Sequence, residues 1–361
     1  KPLVEAGAGD TLKCSLPFLR LVATASGPAT TLEYHWTTAN GHFTNDPQQL
    51  QPTVDAPGMY LLTVRNRVNG CTNTAQTEIF NDARAPLSNA GQAAPLTCVR
   101  RQVSLQGTAS TGTGISYHWQ TTNGQILSGA STLQPTVTAA GTYELLVSDA
   151  NNGCKSLSTV KVVEDTLAPV AHAGAPQTLT CARTEVTLQG EARAPAHPGV
   201  MLQVAWSSAN GNLVSGGTSL APTVNRSGWY VLRVENPQNG CVSTARVAVG
   251  IDTLAPALST AAPSVLTCAT SQVQLSAAVA QPAPGNFTAQ WTAGTGGGLV
   301  SGGNGLSPLV DRAGPYRLTV RSTLNGCSSD MLVQVQEDKT LPVARAGSAV
   351  VLTCASPTRA L

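Results

Sequence analysis

From Gly141 to Asp149 the chain reads Gly-Thr-Tyr-Glu-Leu-Leu-Val-Ser-Asp, with Tyr143, Leu145 and Val147 at alternate positions. A period of two sets those three on one face of a strand and their neighbours on the other. Val103 and Leu105 alternate the same way in RQVSLQG, and Tyr117 and Trp119 in ISYHWQ. Turn chemistry separates these runs. Asn123-Gly124 and Asn152-Gly153 are tight-turn pairs. Pro135 in LQPTVT predicts an edge strand or a bend there. No stretch carries apolar residues at a spacing of three and four, so no helix is expected.

The pattern then repeats. Cysteines follow a Leu-Thr-like strand end, or its equivalent, at positions 14, 98, 181, 268 and 354. The steps are 84, 83, 87 and 86 residues. This predicts repeats over 1–82, 83–165, 166–252 and 253–338, with 339–361 as the first strand of an incomplete fifth. The other cysteines, Cys71, Cys154, Cys241 and Cys327, follow Asn-Gly in each repeat. Each is 27 residues before the next Leu-Thr-Cys-type position, while other spacings drift. A segment without insertions is expected to have geometry to keep, and we read it as the joint between consecutive domains. The chain starts at a repeat boundary and stops inside a repeat, which is expected of a piece of a longer protein.

One Trp recurs in the third strand (Trp36, Trp119, Trp206, Trp291) and one Tyr late in each repeat (Tyr60, Tyr143, Tyr230, Tyr316). About seven short strands with turns every 8–12 residues around a single Trp predict an all-β fold. The expected architecture is a tandem array of antiparallel immunoglobulin-like (PKD-like) β-sandwiches. A Trp at one fixed place in an alternating strand reads as a core pin rather than a sugar-stacking platform. Trp229, beside Tyr230, is predicted to point outward.

Composition removes several function classes. Charged residues make up 11% of the chain and net charge is +2, so no basic face exists for nucleic acid. No apolar run reaches the length of a membrane helix. His35, His42, His118, His172 and His197 have no recurring nucleophile or paired carboxylates beside them, so no enzyme is expected. The glycines of GTGGGL precede neither a helix nor a Lys-Ser/Thr pair, so they read as a turn. None of the nine cysteines lies in a C-x-x-C pair, which disfavours zinc and redox chemistry. Regular cysteines in a low-charge chain point to structural disulfides and an extracellular, secreted or cell-surface location.

The linkers follow one rule. Asp82, Asp165, Asp252 and Asp338 are each followed four residues later by proline (Pro86, Pro169, Pro256, Pro342). Proline fixes φ and stiffens the approach to the next domain. Calcium at such joints needs six or more oxygens. Glu164-Asp165 and Glu337-Asp338 supply two carboxylates and the other joints fewer, so no cofactor is expected and calcium is a weak candidate.

Through AGAPQTLTC, EVTLQG, AWSSANG, SGWYVLRVENPQNGC and ARVAV, the chain resembles the PKD-like and immunoglobulin-like tandem repeats of large Bacteroidetes-type cell-surface adhesin or filament proteins. The resemblance covers all four repeats and the fifth opening. It lacks the acidic PDGD-like turn that many PKD repeats carry. It implies a surface protein, with spacer, stalk and adhesin roles equally open. Asp-Thr-Leu at 10–12, 165–167 and 252–254 is similar to the O-glycan acceptor of that group, which makes Thr11, Thr166 and Thr253 candidates. Asn225 and Asn286 begin N-x-S/T sequons.

Two disulfide pairings are open. Pairing within repeats joins Cys14–Cys71, Cys98–Cys154, Cys181–Cys241 and Cys268–Cys327. Pairing between neighbours joins Cys14–Cys154, Cys98–Cys241 and Cys181–Cys327, leaving Cys71, Cys268 and Cys354 for partners beyond this stretch. The Leu-Thr-Cys strand end is expected at the far end of a sandwich and the Asn-Gly-Cys turn at the near end. A strand of eight residues spans ~26 Å, whereas bonded cysteines have Cα atoms ~4.4–6.8 Å apart. That favours neighbours. Self-stapling of small secreted domains favours the alternative. Neighbour staples with stiff linkers would make a rod that resists bending and pulling.

These readings converge on a structural segment of an extracellular fibre, stalk or filament. Its partners are neighbouring repeats and further copies in a fibre or sheath. The alternative is an adhesin that holds a glycan or partner protein through its loops, with Trp229 its one exposed aromatic.

Overall fold

The structure, a computed structural model, describes residues 1–347. Residues 348–361 lie outside the described part, and with them Cys354 and most of the fifth opening. Among the described residues the regular structure is strand, apart from one 3-10 turn at Ala29–Thr31. Two compact units divide the chain. One is Lys1–Ala168 with Pro237–Cys241, and the other is Pro169–Asn236 with Val242–Leu361.

In the first unit, residues 83–165 show the plan. One sheet orders Ile115–Thr121, Gly141–Asp149 and Lys155–Val162, all antiparallel. The facing sheet orders Val103–Ser104, Thr136–Val137 and Ile126–Ser128. Between them lies a core of Leu105, Trp119, Val137, Tyr143, Leu145 and Val147, each at most 1% exposed. The alternation of Tyr143, Leu145 and Val147 is what places all three inside. Burying each aliphatic side chain of this kind is worth about 1.5–3 kcal/mol. Residues 1–82 enclose their own core around Trp36 and Tyr60. The second unit holds two more cores, around Trp206 with Tyr230 and around Trp291 with Tyr316.

Two local expectations need correcting. Thr136–Val137 is the middle strand of its sheet, not an edge or a bend. Pro135 stands just before it, so its missing N–H falls at the strand start, and its carbonyl accepts from the Leu105 N–H at 2.9 Å. The sandwiches are also not wholly antiparallel. The first strand of the second repeat is split. Ser88–Asn89 pairs antiparallel with Thr108–Ala109, whereas Leu96–Thr97 pairs parallel with Glu164–Asp165 at the end of the repeat. The same parallel pairing joins Asp10–Leu12 to Thr72–Asn81, Gln177–Thr180 to Val242–Asp252, and Leu266–Thr267 to Glu337–Asp338.

That parallel pair decides where the chemistry sits. It puts Thr97 opposite Asp165, Thr180 opposite Asp252 and Thr267 opposite Asp338. Each Leu-Thr-Cys strand therefore ends beside the linker that leaves its own repeat.

Candidate functional site at the repeat joints

The other half of each joint is the Asn-Gly-Cys turn between the last two strands. Its glycines, Gly70, Gly153, Gly240 and Gly326, have φ of +71°, +74°, +68° and +72°. Glycine adopts that left-handed conformation without the strain of a Cβ. In each turn the Asn Oδ1 accepts from the N–H of the Cys two residues on, at 3.1, 2.9, 3.0 and 3.1 Å. This side-chain turn leaves the Asn amide nitrogen directed away from its own loop.

In three of the four turns that amide reaches the linker of the preceding repeat. Asn152 Nδ2 donates to the carbonyls of Asp82 at 2.8 Å and Arg84 at 3.2 Å. Asn239 Nδ2 donates to the Asp165 carboxylate at 2.9 Å and the Leu167 carbonyl at 3.0 Å. Asn325 Nδ2 repeats this on Asp252 and Leu254, both at 2.9 Å. All three Asn are buried. A buried amide is tolerable only when paired, and the two bonds to a carboxylate are of the stronger, charge-assisted kind.

The backbone closes the same gap. The N–H of Ser15 donates to the Asn152 carbonyl at 3.1 Å, and that of Ala182 to the Asn325 carbonyl at 3.1 Å. A Cβ on Gly153, Gly240 or Gly326 would strike Ser15, Val99 or Ala182, the residue after each preceding Leu-Thr-Cys-type cysteine. Glycine is thus needed twice at these positions, for φ and for the approach of the neighbour.

Disulfides complete the joints: Cys14–Cys154, Cys98–Cys241 and Cys181–Cys327, with Cα atoms 4.9, 5.1 and 5.0 Å apart. Each joins a strand end of one repeat to the turn of the next. None of the within-repeat pairs Cys14–Cys71, Cys98–Cys154, Cys181–Cys241 and Cys268–Cys327 forms, because Cys71 and Cys268 are free and exposed and the others are bonded elsewhere. The parallel strand pair gives the physical reason. It holds the first cysteine of a repeat at the outgoing linker, away from that repeat's own Asn-Gly-Cys turn.

The recurring aromatics are structural. The indole N–H groups of Trp36, Trp119, Trp206 and Trp291 donate to the carbonyls of Leu50, Thr132, Ser219 and Gly305 at 3.3, 2.9, 2.9 and 3.1 Å. The hydroxyls of Tyr60, Tyr143, Tyr230 and Tyr316 donate to the carbonyls of Ala56, Ala139, Arg226 and Arg312 at 2.6–2.8 Å. Each phenol also accepts a backbone N–H, so burial leaves none of these polar ends unpaired. Burial pushes the Tyr60 phenol up, partly offset by the hydrogen bond from His42, while the Asp55 charge adds to the rise.

The remaining candidates are dispersed. Thr166 and Thr253 lie exposed in linkers, and the Thr166 hydroxyl donates to Glu164 at 3.0 Å. Thr11 is half-buried in the strand Asp10–Leu12. Trp229 is 52% exposed, with the Arg246 guanidinium 5.0 Å from its ring centre. His42 pairs with Asp55 at 2.7 Å. Among the described residues no three His, Cys, Asp or Glu side chains gather as a metal site. Among them, too, no helix is long and apolar enough to cross a membrane.

No protein-family model matches the chain, and no curated protein matches it. Solved structures do. A titin I-band fragment, I67–I69, is 12% identical with a TM-score of 0.33, over 71% of this chain and 99% of its own. The immunoglobulin domains 1–5 of Sidekick-1 are 12% identical with a TM-score of 0.27, over 91% and 78%. The EC1–4 segment of Drosophila N-cadherin is 10% identical with a TM-score of 0.26, over 93% and 99%. Likeness at this level says nothing about what the chain binds.

Proposed function

We propose that this chain is a structural, tension-bearing segment of an extracellular fibre, stalk or filament of the kind found among bacterial surface repeats. One observation carries the reading: the disulfides join neighbours rather than staple single repeats. Cys14 bonds to Cys154, 27 residues lead to Cys181, and Cys181 bonds to Cys327. A pull between Cys14 and Cys327 therefore runs through two disulfides and 27 residues. At ~3.5 Å per extended residue that covalent route can lengthen to only ~100 Å, against ~1,100 Å for the backbone alone. A second route, offset by one repeat, runs from Cys71 through Cys98–Cys241 to Cys268. Staples inside repeats would have left every joint to a single linker strand.

Single-molecule pulling between residues 14 and 327 tests this. Oxidised protein is expected to stop near ~100 Å, and reduced protein to release ~1,000 Å more as its sandwiches unfold. Equal lengths in both states would refute the reading. Three disulfides support an oxidising, extracellular setting. Thr166 and Thr253 are open to O-glycans, and an intact mass of protein from its native source equal to the bare chain would remove that part. The adhesin reading keeps Trp229, yet Arg246 already lies over that ring.

A further inference from the structure

Each closed joint rests on an Asn-Gly pair, and that dipeptide has a reaction of its own. With no Cβ on the following residue, the Gly nitrogen can reach the Asn Cγ. A C–N bond forms to close a succinimide ring, and the Asn Nδ2 leaves as ammonia, taking the Gly proton. Water then opens the ring to aspartate or isoaspartate. The closed joint ties up the atoms this step moves. At Asn325 the Nδ2 donates to the Asp252 carboxylate and the Leu254 carbonyl, both at 2.9 Å, and the Gly326 N–H donates to the Ser322 carbonyl at 3.0 Å. The Cys327 N–H holds the Oδ1 at 3.1 Å, which fixes the Cγ. Asn152 is held the same way, with its Nδ2 on the Asp82 and Arg84 carbonyls and the Gly153 N–H on the Asp149 carbonyl at 2.7 Å. Asn152, Asn239 and Asn325 are at most 5% exposed. The same dipeptide stands exposed at Asn123-Gly124 and Asn210-Gly211, where the Asn Oδ1 accepts from Thr142 and Trp229 of its own repeat.

We propose that Asn152, Asn239 and Asn325 are deamidation sites that the disulfide-closed joint protects and the reduced joint exposes, so that deamidation makes an opened joint unable to close again. A small-molecule thiol opens each disulfide by exchange and is itself oxidised. The hydrogen bonds left behind contribute about 1 kcal/mol each, so the reduced joint opens and recloses. While it is open, the Asn amide and the Gly N–H are free to react.

The product reverses the polarity of the contact. The Cys N–H keeps its oxygen, but the linker meets a carboxylate where it had a donor. At Asn239 and Asn325 this sets carboxylate against carboxylate, since Asp165 and Asp252 are the present acceptors. At Asn152 it sets a carboxylate against two carbonyl oxygens. Isoaspartate adds one backbone carbon as well, two residues before the cysteine that must find its partner. The proposal concerns the joints alone and stands whether or not the segment carries tension.

The test incubates the full-length chain at mildly alkaline pH, oxidised or with dithiothreitol, and follows amide-to-acid conversion by mass spectrometry of the digest. Conversion at Asn152, Asn239 and Asn325 is expected to run roughly tenfold faster or more in the reduced protein, because loss of a disulfide favours local opening by at least that factor. Asn123 and Asn210 are expected to convert equally in both states. Equal conversion at the joints with and without dithiothreitol would overturn the proposal. A second measurement builds the product directly as Asn325→Asp. Its Cys181–Cys327 disulfide is expected to be reduced at a roughly tenfold lower dithiothreitol concentration than the parent's, since two hydrogen bonds are lost. In D252N/N325D the amide and the carboxylate change places, and part of that loss is expected to return. A Cys181–Cys327 bond as resistant in Asn325→Asp as in the parent, or a double variant no better than the single one, would also overturn it.

Discussion

Around Trp119 and around Asn152, a few strands apart, one repeat is held together by opposite means. The Trp119 region is apolar burial with a single polar handle: the ring packs among Leu105, Val137, Tyr143 and Leu145, and its one N–H finds a carbonyl. The Asn152 region is polar throughout. An amide, backbone groups and a glycine make the contact, and a disulfide secures it. The Trp region is worth several kcal/mol by area alone. Net hydrogen bonds contribute about 1 kcal/mol each, so direction comes from the Asn and permanence from the disulfide. Each sandwich therefore stands on its own core, while the connection between sandwiches depends on redox state.

Truncating Trp119→Ala attacks the first half of that contrast and is expected to have the largest effect. Removing a buried indole from a packed core destabilises by about 3–5 kcal/mol. Thermal unfolding followed by calorimetry should show one transition, that of residues 83–165, shifted far below the others. A uniform shift of all transitions would mean that the joints fuse the repeats into one cooperative unit, and the contrast would fail.

Asn239→Ala attacks the second half more gently. It removes the bonds to the Asp165 carboxylate and the Leu167 carbonyl. A loss of about 1–3 kcal/mol is expected. The informative readout is the Cys98–Cys241 disulfide, which should become easier to reduce in a dithiothreitol titration while Cys14–Cys154 and Cys181–Cys327 hold. Unchanged reduction would make the amide a mere turn residue.

The two regions also differ in how far the sequence discloses them. Trp119 was readable from alternation, because a core face follows from a period of two. Asn152 was readable only as half of an Asn-Gly turn pair, the same signal that Asn123-Gly124 gives where no neighbour is involved. Its reach to the Asp82 linker depends on the parallel pairing of Asp10–Leu12 with the end of Thr72–Asn81. A parallel strand of three residues has too little periodicity to find. The clue lay in two constants read separately, an Asn two before each Asn-Gly-Cys cysteine and an Asp at each outgoing linker. Pro135 misled for a similar reason, since a strand of two residues can begin directly after a proline and still be central.

The smallest expected effect concerns a polar end inside a core. Tyr60 is fully buried, and its phenol is raised above the ordinary value of 10.0 by burial first and by Asp55 as a lesser contributor, against the lowering His42 hydrogen bond. A raised folded value means that the unfolded chain releases this proton at lower pH than the folded one. The stability from keeping Tyr60 neutral is therefore complete below about pH 10 and is lost as pH rises through the folded value. The transition of residues 1–82 should fall in temperature above about pH 10. In Tyr60→Phe that fall should be shallower, since no phenol remains to ionise, while its stability at pH 7 should drop by the ~1–2 kcal/mol of an unpaired Ala56 carbonyl and His42 N–H, read as a lower melting point. An alkaline slope identical in Tyr60→Phe and parent would show that the phenol is not what limits this core, and that its polar handle matters only for geometry.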